Sequence, residues 1–140
     1  MTPERRFEAL GRAPARLRER LADRILTNAA IEIVEAPEVA TAAVRLPVPG
    51  TGGTFVAGRV VVTTCQILLD GTRGDGAVQG RELRGALAAA ICDAEAERGG
   101  PLAREVDDLV REAEQARADR LREEAGAVAL TRLDDDEASA

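Results

Sequence analysis

Residues 50–58 read GTGGTFVAG, with glycine at three of the four positions from Gly50 to Gly53. Such a run brings main chain close either to a phosphate or to itself. A Walker loop needs a lysine to reach the terminal phosphates, and the chain has none. A dinucleotide fingerprint needs a further glycine three positions after Gly52, where Phe55 stands, and it leads from a strand into a helix. Here the glycines join one β-type run to another. The stretch is therefore expected to be a hairpin turn, with glycine supplying positive φ and Thr51 and Thr54 satisfying free backbone groups.

Working outward, Ile31 and Ile33 alternate with Glu32 in a run expected to stop at Pro37. In VATAAVRLPV, Ala42, Val44 and Leu46 fall on one side and Thr41, Ala43 and Arg45 on the other. RVVVTTCQILLD places Val61, Thr63, Cys65, Ile67 and Leu69 on one face, with Val60, Val62, Thr64, Gln66 and Leu68 opposite. Both faces are largely apolar, which predicts a central strand covered on both sides. Asp70-Gly71 then marks a tight turn, followed by a short strand near Gly76 to Gln79.

Helices flank this region. Thr2 and Pro3 suit a helix start, and Gly11 and Pro14 divide residues 3–27 into two short helices. Phe7 and Leu10 share a face in the first, and Leu17, Leu21 and Ile25 form the expected buried stripe of the second. Arg16, Arg20 and Arg24 make a row that reads as a solvated face among Glu19 and Asp23, or as a contact for an acidic partner or anion. Over residues 81–97, Leu83, Leu87, Ile91 and Ala94 form a face amid alanines that permit close packing. Gly99-Gly100 ends this helix and Pro101 opens another, to about Ala125, on which Leu102, Val106, Leu109 and Ala113 recur and Asp107 can pair with Arg111. Its apolar stripe fades after Ala116, so its end projects into solvent or packs on another chain. The expected fold is α+β: a small, mainly antiparallel β-sheet over residues 30–79 with N-terminal and C-terminal helices packed on it. One domain covers residues 1–133, and residues 134–140 form an acidic, disordered tail.

The side-chain inventory narrows the chemistry. There is no histidine, lysine, tyrosine or tryptophan, the one serine is Ser139, and all 19 basic residues are arginines. Arginine stays protonated, so proton transfer falls to Asp, Glu and Cys, and no Ser-His or Cys-His nucleophile can be built. No metal site is expected from two distant cysteines, Cys65 and Cys92, which read as small buried residues. The N-terminus has no apolar h-region and no run is long enough to span a bilayer, so a cytoplasmic protein is expected. A net charge of -6, a pI near 4.8 and two aromatic residues argue against nucleic acid as a partner. At Gly80-Arg81 a strand gives way to a helix; an arginine there is unfavourable unless an anion or carboxylate lies near. Glu82 is the internal candidate, and a bound anion held by Arg81 and free N–H groups is the functional one. Two readings of the residues stay open at this point: a stand-alone phosphate-handling enzyme, using Arg81, Arg45 and a carboxylate such as Asp93, and a regulatory or interaction module.

The ordered series Gly50-Thr51-Gly52, Phe55, Gly58, Val62-Thr63, Cys65, Asp70-Gly71, Gly74, Gly80-Arg81-Glu82, Ala86, Ala90 and Asp93-Ala94 resembles the carbon-phosphorus lyase system protein PhnG family of the bacterial phosphonate-degrading machinery. The spacing fits without gaps, and the helical flanks agree in length and type, so the similarity covers nearly the whole chain. Arg59 stands where the family has an acidic residue, Thr64 where it has arginine, Ala77 where it has an aromatic residue and Leu87 where it has glutamate. The first two exchanges leave the local charge similar; together the four mark a divergent member.

The resemblance implies an accessory subunit, with no catalytic residue, cofactor or metal of its own, in a core assembly with PhnH-, PhnI- and PhnJ-type proteins. With PhnI, PhnH and the ATPase-like PhnL, such a chain supports displacement of the adenine of ATP by a phosphonate such as methylphosphonate. The product is α-D-ribose 1-methylphosphonate 5-triphosphate. ATP and phosphonate are then bound mainly by partners, the nucleosidase-type chemistry lies on the PhnI-type subunit, and self-association within the complex is allowed. Arg45, Gly50, Gly52, Gly80 and Arg81 are the candidate anion or interface contacts. The helices at 81–97 and 101–125 and the Gly50 to Gly58 hairpin are the expected partner surfaces.

Overall fold

The computed structural model describes the backbone of residues 1–139 and the side chains of residues 1–127. Two short helices, α1 (Pro3–Arg12) and α2 (Ala15–Leu26), precede strands β1 (Ile31–Pro47), β2 (Thr54–Leu69) and β3 (Thr72–Gln79). Helices α3 (Leu83–Glu97) and α4 (Ala103–Ser139) follow. The sheet is antiparallel with order β1-β2-β3, giving the α+β fold expected from the pattern of apolar residues. Among the described residues no helix is long and apolar enough to cross a membrane.

Turn chemistry sets the sheet. Leu69 pairs with Thr72 across Asp70-Gly71, whose φ angles of 47° and 85° give the primed two-residue turn that matches strand twist. Asp70 also accepts the Ala30 N–H through Oδ1 at 2.9 Å, tying the start of β1 to the same corner. At the other end the glycine run is the turn of a hairpin. The Val48 N–H donates to Gly53 O at 2.9 Å. The Thr51 hydroxyl donates to Val48 O at 3.2 Å and accepts from the Gly53 N–H at 3.2 Å. Gly50 and Gly52 take φ of 79° and 71°. Thr51 thus plays its expected part, whereas Thr54 opens β2 opposite Pro47.

Pro37 does not end the first strand. The register shifts between Glu35 and Glu38, and β1 then runs on to Pro47. An edge strand tolerates this, because a bulge can absorb a residue that cannot donate to the ladder. β2 is central in its pairing, yet it is not covered on both faces as its composition suggests. Thr63, Cys65, Ile67 and Leu69 are buried, Thr64 is exposed, and Gln66 and Leu68 are half-buried. Outward from Thr63, β1 and β2 continue as a two-stranded arm whose side chains are exposed or half-buried.

The covered face belongs to α3. A Cβ at Gly76 would overlap Ala86 O and lie 2.7 Å from Ala90 N; one at Gly74 would overlap Ala90 O and lie 2.7 Å from the Ala94 Cβ. Helix and strand therefore meet main chain to main chain, with Ala86, Ala90 and Ala94 fully buried between them. The leucines expected on this face stand aside: Leu83 is exposed and Leu87 half-buried. On α2 the buried stripe is Arg18, Leu21, Ala22 and Ile25, and Leu17 is 44% exposed. On α1 the buried face is Arg6, Ala9 and Leu10, with Phe7 at its rim. Helix α4 contributes Val106, Leu109, Val110 and Ala113. It begins two residues after Pro101 and extends past Ala125, and Arg111 pairs with Asp108, at 4.0 Å, rather than with Asp107. The tail expected over residues 134–140 lies outside the residues whose side chains are described.

Gly76→Ala is expected to destabilise the fold by about 3 kcal/mol, because a rigid helix backbone must retreat. Gly58→Ala, facing open space on the arm, is expected to stay within about 0.5 kcal/mol of the parent. Urea midpoints of the two variants measure the difference.

Candidate functional site

Helices α1 and α3 are joined by an ion-paired cluster. The Arg6 Nε donates to Asp93 Oδ1 at 2.7 Å and its Nη2 to Glu97 Oε2 at 2.6 Å. Asp93 Oδ2 in turn accepts the Asp75 N–H of β3 at 3.0 Å. Arg6 and Asp93 are each 7% exposed. Burial opposes the charge of Arg6, but the bonds to Asp93 and Glu97 outweigh it and hold its pKa above the ordinary value. Burial raises the Asp93 carboxyl above the usual aspartate value, while the Asp75 N–H and Arg6 pull it back down. The two directions conflict for a single ion pair. The short, two-sided bonding of Asp93 decides for a charged carboxylate at neutral pH.

A second buried arginine closes the helical layer. Arg18 is 1% exposed, and its Nη1 donates to Leu10 O at 2.9 Å and Ala13 O at 3.2 Å. Its charge thus sits where the carbonyls at the end of α1 need one. Nη2 lies 3.9 Å from Glu82 Oε2, Nε has no hydrogen-bond partner among the described residues, and burial lowers the pKa of the guanidinium. Gly85 carries no Cβ because Arg18 Nη2 would lie 2.7 Å from it. Nearby, the Cys92 thiol donates to Arg18 O at 3.9 Å, and burial pushes its pKa up to about 12. Cys65 is raised by burial too, so neither thiol is an activated nucleophile.

The junction of β3 with α3 is set by Thr63. Its hydroxyl donates to Gly80 O at 2.6 Å and accepts the Glu82 N–H at 3.0 Å. The remaining residues singled out from sequence do not converge on one point. Gly80 N donates to Val61 O, and Val61 sits across from Thr41. Arg45 lies four residues further out on β1, roughly 13 Å along the strand, with Gly50 and Gly52 beyond it at the tip. Asp93 lies about 15 Å along α3 from Leu83. Arg45, Arg81 and Asp93 therefore form no common cluster, and Asp93 is bound to Arg6.

Two surface features remain. A groove of about 740 Å³ runs between α1 and the uncovered face of the sheet, lined among others by Phe7, Glu8, Glu35, Gln66, Arg73 and Asp75. The arm presents Val44, Leu46, Phe55 and Val56, each between 38% and 49% exposed. Among the described residues no three His, Cys, Asp or Glu side chains are placed to hold a metal ion.

Sequence reasoning singled out neither Arg6 nor Arg18; the row it considered was Arg16, Arg20 and Arg24. The signal was present: positions 18, 21, 22 and 25 follow the buried helical spacing, with an arginine at the first. A family model described as phosphonate metabolism protein PhnG matches residues 2–135, nearly the whole chain. The chain belongs to that family, and its role lies in phosphonate metabolism. No curated protein matches it.

Asp93→Asn keeps an acceptor for the Asp75 N–H but leaves buried Arg6 with Glu97 alone. The expected loss is about 3 kcal/mol, the cost of breaking one side of a buried pair. Thermal and urea unfolding measure it, and an unchanged midpoint would remove the pair from the account of stability.

Proposed function

We propose that this member of the PhnG family is an accessory subunit of the carbon-phosphorus lyase core complex. In this role it supports the step in which a phosphonate such as methylphosphonate displaces adenine from ATP to give α-D-ribose 1-methylphosphonate 5-triphosphate. The partners are PhnI-, PhnH-, PhnJ- and PhnL-type subunits, which bind the nucleotide and the phosphonate and carry the reacting groups.

The observation that carries the accessory reading is the uncovered β1–β2 arm, with Val44, Leu46, Phe55, Val56 and Val61 exposed on a two-stranded ribbon. Such a ribbon has too little buried surface to be stable alone in water, and large exposed apolar side chains in sequence-adjacent array mark a contact surface. The side-chain inventory agrees: lacking histidine and lysine, the chain has few groups for moving protons. The polar outer part of α4, beyond Glu114, adds a second surface suited to an unlike subunit. Arg81, exposed at the start of α3, is suited to a contact with a partner's carboxylate or with an anion shared across the boundary. A stand-alone phosphate-handling enzyme is the weaker reading, since Arg45, Arg81 and Asp93 lie apart.

The decisive measurement is adenine release from ATP plus methylphosphonate by the PhnI-, PhnH- and PhnL-type proteins, with and without this chain. Release is expected only when the chain is present, and the chain alone is expected to be inert. Turnover by the isolated chain would overturn the accessory reading. So would partner activity that is unchanged by adding the chain.

A further inference from the structure

The first turn of α3 carries an unmet demand for negative charge. The Glu82 N–H donates to the Thr63 hydroxyl, and the Ala86 N–H bonds Glu82 O. Between them, the N–H groups of Leu83, Arg84 and Gly85 have no carbonyl of their own helix to reach. The turn has no side-chain cap, and no acidic residue follows Glu82 in it. Beneath it lies Arg18, 1% exposed, whose Nη2 would stand 2.7 Å from a Cβ at Gly85. That nitrogen has no hydrogen-bond partner among the described residues. Glu82 Oε2 is 3.9 Å away, beyond hydrogen-bond reach, and Nε is equally unbonded. Arg81, exposed one residue before the cap, has no ion-pair partner among the described residues either. Arg84 lies apart, in a depression between α2 and α3 that also holds Glu19 and Asp23.

We propose that the first turn of α3 binds a phosphate-type oxyanion, held by the N–H groups of Leu83, Arg84 and Gly85, by the buried Arg18 guanidinium and by Arg81, with the Glu82 carboxylate as the internal occupant that the anion displaces. Glu82 brings a negative charge to the mouth of the site yet makes no hydrogen bond there, and its side chain is 46% exposed, so it can swing into water. Arg18 stays in place, because Nη1 is tied to Leu10 O and Ala13 O. A donor already fixed and already out of water loses little freedom when a ligand arrives. With Glu82 aside, the helix end adds roughly half a positive charge to those of the two arginines. A tetrahedral dianion matches that sum and offers an oxygen to each donor, whereas a carboxylate brings a single charge and two oxygens. The site needs this chain alone, and so goes beyond the accessory reading, in which the reacting groups stay with the partners.

The test is an NMR titration of the purified, isotope-labelled full chain at constant ionic strength, followed at the backbone amides. Inorganic phosphate and methylphosphonate are the probes, and chloride is the control. Saturable shifts at Leu83, Arg84 and Gly85 are expected in the millimolar range with phosphate, and none with chloride. An equal response to methylphosphonate supports a site that reads the phosphorus oxyanion itself; a response to methylphosphonate alone supports the site and assigns the organic compound to it. Glu82→Gln removes the competing carboxylate and is expected to tighten binding about fivefold or more. Arg81→Gln and Gly85→Ala are expected to weaken it about threefold or more, through a lost charge and a displaced Arg18 Nη2 respectively. At Gly85 the group that must yield is the end of a long side chain rather than main chain, and circular dichroism verifies that each variant is folded. Shifts that chloride reproduces, shifts absent with both probes, or an affinity that Glu82→Gln leaves unchanged overturn the proposal. Adenine release by the partner subunits is measured separately, so failure of the site and failure of the accessory reading are told apart.

Discussion

The seat of α3 on the main chain of β3 is the constraint from which the rest follows. With no side chain at Gly74 or Gly76, the helix descends until Ala86, Ala90 and Ala94 touch strand backbone. That depth brings Asp93 within reach of the Asp75 N–H and positions it to receive Arg6 from α1. It also buries Glu95, which accepts from Arg98 Nε at 2.7 Å and from the Leu102 N–H at 3.1 Å and so holds the corner between α3 and α4. Arg98 reaches on to Asp70 at 3.1 Å, so the helix corner and the β2–β3 turn are fastened to one another.

A helix-on-strand contact built of alanine and glycine, as between α3 and β3, releases less apolar surface from water than one built of leucine, residue for residue. Here the difference is met by directional contacts. Arg6, Arg18, Asp93 and Glu95 are all buried, and each joins elements that small side chains alone would hold loosely. Charge in this molecule therefore has two separate roles. Inside, it fixes the positions of helices. Outside, Arg45 and Arg59 on the arm and Glu4, Glu8 and Glu35 along the groove have no ion-pair partner among the described residues.

What could be foreseen from the sequence depended on how local the physics was. The hairpin at Gly50 to Gly58 and the Asp70-Gly71 turn were legible because their backbone requirements lie within a few residues. The small residues of α3 likewise announced a close approach, though the leucines beside them drew attention to the wrong face. Pro37 misled because a proline's effect depends on whether its strand lies at the edge. The double-sided apolar character of β2 misled for a related reason, since a strand covered by its own helix and one that outruns that helix share the same composition. Arg6 and Arg18 were hidden because their partners are main-chain carbonyls and carboxylates that only the folded chain brings near. The separation of Arg45 from Arg81 followed from strand register, which no residue pattern specified.

Pro37 and Pro47 stand at either end of the outer stretch of β1, and neither can donate a main-chain hydrogen bond. An unrelated strand that began to zip along this rim would meet a missing rung on both sides, and the bulge before Glu38 would turn its path away. A ribbon that exposes large apolar side chains is thereby guarded against open-ended strand addition, since the same interruptions that shorten the ladder leave an incoming strand few rungs to grip.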